Sequence, residues 1–141
     1  MLLAALSLAG VFLATYLTLY KLGYIGTLAC GTGDCEKVQT SKWASLLGVP
    51  VALWGVGFYA AMFGLSLAGS LGTLVESRAT SVALVAITAS GLLFSSWLTY
   101  VEVAQIHAIC RYCVVSATLV LVLFAVSVAD LRERPASVGQ A

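Results

Sequence analysis

Charge is missing from four long stretches of this chain, and no other feature of the sequence restricts its fold as strongly. The charged side chains stand at 21, 34, 36, 37, 42, 76, 78, 102, 111, 130, 132, 133 and 134, which leaves 1–20, 43–75, 79–101 and 112–129 without any. A helix needs roughly 20 apolar residues to cross a hydrocarbon core of about 30 Å, so the pattern holds four spans and has no room for a fifth. Charged residues make up 9% of the chain, against about 25% in a soluble domain, and the mean hydropathy is +1.03. A soluble globular fold and a disordered chain are both excluded. The net charge of +1 also removes nucleic acid as a partner, because seven scattered Lys and Arg residues do not make a phosphate-binding patch.

The expected architecture is all-α: an integral membrane four-helix bundle over 1–130, with spans at about 2–20, 50–67, 80–104 and 110–130. Residues 131–141 are expected to form a polar, unstructured tail. The first span is read as retained. It lacks a basic n-region and an A-x-A site, and its apolar run exceeds the ~7–15 residues of a signal-peptide core. Tyr16, Tyr20 and Tyr24 are placed to sit at a membrane interface. The first outer loop, 23–49, carries turn glycines followed by Val38, Trp43, Leu46 and Leu47, which read as the apolar underside of a short interfacial helix. Pro50 suits the first turn of the second span. Gly57, Ala61 and Gly64 form a small-residue face, suited to a closely packed neighbouring helix or to the wall of a flat ligand's pocket. No internal repeat is visible.

Spans alternate in direction, so the connection after the first and the connection after the third emerge on one side of the membrane. Those connections carry all four cysteines, Cys30 and Cys35 in the first, Cys110 and Cys113 in the second. Three pairings are open to four cysteines. Cys110-Arg111-Tyr112-Cys113 opens the last span, where free N–H groups and the positive end of the helix dipole lower a thiol pKa. The set reads as two communicating dithiol pairs, as structural disulfides, or as a four-thiolate zinc site. For communicating pairs, thiolate attack on a disulfide passes electrons from one pair to the next. The mobile loop pair suits a soluble protein and the pair atop a span suits a lipid-soluble acceptor such as a quinone.

Cys30-x4-Cys35-x5-Ser41-Lys42-Trp43 in the first loop, followed by Cys110-x-x-Cys113 at the head of the last of four spans, resembles the vitamin K epoxide reductase family. The resemblance runs from the first span to about Ala129 and is strongest to the short bacterial members that support disulfide-bond formation. It implies that Cys30 exchanges with a DsbA-like, thioredoxin-fold periplasmic oxidant, that Cys35 passes electrons to Cys110, and that Cys113 lies against the quinone and reduces it. Ser41 and Trp43 are implied near the quinone, whether menaquinone, ubiquinone or another naphthoquinone or benzoquinone, and no metal is implied. The spacing of four between Cys30 and Cys35 is short for the family. No fused thioredoxin-like domain is seen, so the partner is expected in trans. The DsbB family also uses four spans and two pairs, but carries its C-x-x-C in the first outer loop. Alternative activities are vitamin K quinone or epoxide reduction and, in another class, a non-catalytic membrane protein with structural disulfides or zinc.

Glu102, near the end of the third span, is a further candidate because an acid at membrane depth is costly; pairing with Arg111 is its structural alternative. His107 is a candidate for proton transfer or thiol tuning, with an idle interfacial position as the alternative. Trp54 and Trp97 read as packing or interface anchors. Arg78, Arg132 and Arg134 face Lys21, Lys37, Lys42 and Arg111 across the membrane, a balance that leaves orientation open. The cysteines are placed on the periplasmic side of a bacterial inner membrane, since the cytosol holds such pairs reduced.

Overall fold

The computed structural model describes residues 1–27, 34–71 and 78–133. Four helices in it are long and apolar enough to cross a membrane: α1 (Leu2–Lys21), α3 (Val51–Ser70), α4 (Arg78–Val101, prolonged by a π-turn over Glu102–Ile106) and α5 (Arg111–Glu133). A short helix, α2 (Cys35–Thr40), lies between α1 and α3. The α5 helix includes 131–133, which the sequence places in the polar tail; residues 134–141 lie outside the described set.

The spans close into a ring in which α1 packs on α3 and α5, and α4 on α5 and α3. Ala14, Tyr59, Met62, Leu84, Val120 and Leu123 fill its centre. Apolar side chains such as Phe12, Leu93 and Leu121 point outward, as lipid rewards apolar surface on both faces of a span. Several hydroxyls inside the spans find partners within their own helix. Ser7 donates to the carbonyl of Leu3 (2.7 Å), Thr18 to Ala14 (2.8 Å), Ser66 to Met62 (2.6 Å) and Thr88 to Leu84 (2.8 Å), which satisfies these donors away from water. The buried hydroxyl of Ser127 is the exception among the described residues, with no partner.

Close approach in the bundle falls on glycines other than those expected. A Cβ at Gly10 would overlap the ring of Tyr59, and one at Gly91 would sit 2.6 Å from Phe58 Cε2. Gly57 and Gly64 have nothing within 4 Å of a Cβ, and with Ala61 they are exposed. The Gly57–Ala61–Gly64 face therefore looks out to lipid, and neither a packed neighbour nor a pocket wall lies on it. Two large aromatic rings on α3 need space on α1 and α4, and that requirement selects Gly10 and Gly91.

The short helix also ends earlier than its apolar pattern suggested. A 3₁₀ turn (Lys42–Ala44) follows α2, and then a hairpin pairs β1 (Ser45–Leu46) with β2 (Val49–Pro50), Leu46 opposite Val49. Its two-residue turn holds Leu47 at φ 54° and Gly48 at φ 79°, as a type I′ turn requires of both positions. Leu46 and Leu47 are thus strand and turn residues, with Leu47 87% exposed. Pro50 precedes the first turn of α3 as its N-cap.

Replacing Gly10 by Ala should displace Tyr59 and destabilise the bundle by about 1–3 kcal/mol, the usual cost of overpacking, whereas Gly57→Ala should be nearly silent. Thermal unfolding in detergent, run on both variants, checks the contrast.

Candidate active site

A six-residue helix cannot satisfy its own ends, and α2 does so through the rest of the molecule. The N–H of Asp34 donates to the carbonyl of Ile109 (3.3 Å), which ties the start of α2 to the turn before α5. At the other end Lys21 Nζ donates to the carbonyl of Gln39 (2.8 Å) and Ser41 Oγ to that of Val38 (2.7 Å). These bonds press the underside of α2 into the bundle, where Cys35, Val38, Leu17, Ala108 and Cys110 form one buried cluster. Cys35 is 1% exposed and Cys110 0%. Cysteines 75 positions apart in sequence thus meet in one apolar packing unit.

Cys110 stands at the N-cap of α5, its carbonyl accepting the first helical N–H, that of Val114 (3.1 Å). A C-x-x-C spacing at this point puts Cys113 three residues into the helix. There its backbone N–H reaches back to the Cys110 sulfur, which takes the role of the oxygen in an ordinary N-cap. The Cys110 thiol is brought down from 9.0 to about 7. The largest cause is the hydrogen bond from the Cys113 thiol; the Cys113 N–H and the Gln39 amide add to it, while burial and the charge of Glu102 oppose it. Gln39 Nε2 lies 3.9 Å from Cys110 Sγ and 3.7 Å from Cys113 Sγ. Cys110 and Cys113 are free thiols and Cys35 is disulfide-bonded.

The π-turn brings Glu102 to the same place. Its backbone carbonyl takes the N–H groups of His107 and Ala108, the latter at 3.1 Å, and His107 reverses the chain in the left-handed region at φ 55°. The Glu102 side chain, 5% exposed, accepts the N–H of Cys110 at Oε2 (3.2 Å) and hydrogen-bonds with the Cys113 thiol. The acid is directed at the cysteine pair, which gives it a partner other than the expected Arg111.

Beside Cys113 the bundle opens into a cavity of about 400 Å³, within the range of small-molecule pockets. Cys113, Gln39, Ser41, Trp43 and Glu102 are on its wall, and Phe58 and Tyr59 face them from α3. Tyr59 is fixed by its hydroxyl, 2.8 Å from Ser116 Oγ. Trp43 meets Trp97 edge to face with ring centroids 5.8 Å apart; Trp43 and Trp54 line the cavity, and Trp97 does not. Tyr16 and Tyr20 pack, partly buried, against the cysteine cluster; Tyr24 is exposed.

Of the residues singled out in the sequence, Cys35, Cys110, Cys113, Ser41, Trp43 and Glu102 come together. His107 does not line the cavity, and its side chain is exposed. Cys30 lies outside the described residues. Gln39 was not foreseen, although its place four residues after Cys35 puts both on one face of a helix. Tyr59 was not foreseen either, and a lone Tyr within an apolar run carries no distinguishing signal.

Fold and site together define a class, a multi-pass membrane protein with a thiol pair, one member buried and the other on the wall of an apolar pocket. The sequence model of the vitamin K epoxide reductase family matches residues 1–128. The chain belongs to that family and is an oxidoreductase of its quinone and thiol type.

Reactivity of Cys110 in pre-reduced protein should rise with pH about a midpoint near 7, since only the thiolate attacks. Cys113→Ala removes the largest stabilising hydrogen bond, so the midpoint should move up towards 9.0. The thiolate fraction at pH 7 then falls from about half to a few per cent or less. Peptide-resolved labelling with a small uncharged thiol reagent measures both midpoints.

Proposed function

We propose that this protein is a quinone-dependent thiol oxidase that supports disulfide-bond formation. Two electrons from a reduced thioredoxin-fold protein enter at Cys30 and Cys35, move to Cys110 and Cys113, and leave to a membrane quinone. The observation that carries the reading is the single buried cluster holding Cys35 and Cys110, with Cys113 on the wall of the adjoining cavity.

The chemistry follows from thiol–disulfide exchange. A partner thiolate attacks the outer pair and forms a mixed disulfide with Cys30, releasing Cys35. Cys35 attacks Cys110 of the oxidised inner pair and frees Cys113, which takes up a proton and becomes a thiol. The partner's second thiol attacks the mixed disulfide, which releases the oxidised partner and frees Cys30, and Cys30 attacks Cys35 and expels Cys110. Cys110 is the better-stabilised thiolate of the inner pair and so the better leaving group. Cys113 then gives its electrons to the quinone, and closure of the Cys110–Cys113 disulfide completes the transfer. A disulfide at Cys35 with free thiols at Cys110 and Cys113 corresponds to the state in which the inner pair holds the electrons.

The cavity suits a flat aromatic acceptor. Trp43, Phe58 and Tyr59 line it, while Ser41, also on its wall, spends its proton on the carbonyl of Val38 and closes the end of α2. The cysteines are assigned to the periplasmic side of a bacterial inner membrane, where the partner is available and the compartment is kept oxidising.

Purified protein supplied with a reduced thioredoxin-fold oxidant and a short-chain quinone should reduce the quinone, and Cys113→Ala should abolish turnover. Full activity in that variant would defeat the mechanism. Cys35→Ala should block turnover with the protein partner while dithiothreitol still drives quinone reduction through Cys110 and Cys113.

A further inference from the structure

Quinone reduction by a dithiol moves two protons as well as two electrons, and the thiol chemistry above leaves the protons without a carrier. Cys110 and Cys113 together lose two thiol hydrogens and form one S–S bond, while the quinone gains two electrons and two protons and becomes the hydroquinone. The receiving oxygens lie in an apolar pocket, where a charge without a proton is costly. A group that touches both the donor sulfur and the pocket is therefore needed, and it must accept and release a proton.

Among the described residues on the cavity wall, Glu102 is the one carboxyl group. It is 5% exposed, its carboxylate accepts the Cys110 N–H (3.2 Å), and it shares the cavity wall with Cys113. An acid kept at this depth is costly unless it has a function or a strong partner, and its neighbours here are the reacting thiol and one backbone N–H. The π-turn that places it strengthens the argument, because such turns gather at functional sites. His107, the other proton carrier suggested by the sequence, is turned away from the pocket.

We propose that Glu102 is a catalytic residue, the proton carrier between Cys113 and the quinone. Its carboxylate takes the proton of the Cys113 thiol as the sulfur gives up its electrons, and hands that proton to the nearer quinone oxygen. The second proton is that of Cys110, released to water when its thiolate forms and returned from water to the other oxygen. Gln39, whose amide faces both sulfurs, is a positioning residue in this scheme: it stabilises negative charge on the pair and carries no proton itself. The inference rests on the quinone oxidase reading.

The test separates the quinone step from thiol exchange. Pre-reduced enzyme is mixed with a water-soluble short-chain quinone in a single turnover, and exchange of the reduced partner into the oxidised enzyme is timed separately. Glu102→Gln keeps an oxygen for the Cys110 N–H but cannot carry the proton, so the quinone step should slow by about 10²–10⁴-fold, with partner exchange within roughly three-fold of wild type. Glu102→Asp should restore most of the quinone step. An unchanged quinone step in Glu102→Gln would overturn the proposal. Equal loss of both steps in Glu102→Gln would also overturn it, since that outcome assigns Glu102 a structural role. No quinone reduction by the wild type itself would sink the parent reading instead.

Discussion

The docking of one short helix holds the site together. The α2 helix has only six residues, too few to persist alone in water, and its order comes from burying Cys35 and Val38 against Leu17, Ala108 and Cys110. Burial of a side chain the size of valine is worth about 1.5–3 kcal/mol. The bonds from Asp34 to Ile109 and from Lys21 to Gln39 remove the cost of unsatisfied helix ends. The same contact that stabilises α2 brings the loop cysteine to the membrane pair, sets Gln39 over both sulfurs and completes one wall of the cavity.

The inner pair owes its chemistry to its place on a helix. A cysteine at an N-cap takes the N–H that a serine or aspartate oxygen would otherwise accept, and a second cysteine three residues on adds its thiol to the same sulfur. Cys110 is thereby the nucleophile and leaving group of the pair, and Cys113, the member on the cavity wall, faces the acceptor.

Much of this was legible in the sequence, for identifiable reasons. Gaps between charges mark spans because a charge in hydrocarbon is costly whatever surrounds it, and the C-x-x-C motif at a span's head predicts its own capping geometry. The faces of the spans were not legible. Lipid is as apolar as leucine, so Gly57 and Gly64 look as suited to packing as Gly10 and Gly91, and only the positions of the Tyr59 and Phe58 rings decide between them. The extent of the interfacial helix was misread because Leu46 and Leu47 fit an amphipathic pattern, while the Leu47-Gly48 turn overrides it. Glu102 was recognisable as an unusual acid, but its partner depended on a π-turn that no residue pattern announces.

The account depends most on direct contact between the outer and inner cysteine pairs. Its sharpest test is a double variant, Cys30→Ala with Cys113→Ala, which leaves Cys35 and Cys110 as the chain's two thiols. After mild oxidation in membranes, the account predicts a Cys35–Cys110 disulfide in nearly every molecule, seen as one cross-linked peptide by mass spectrometry. Recovery of both cysteines as free, alkylatable thiols would contradict it.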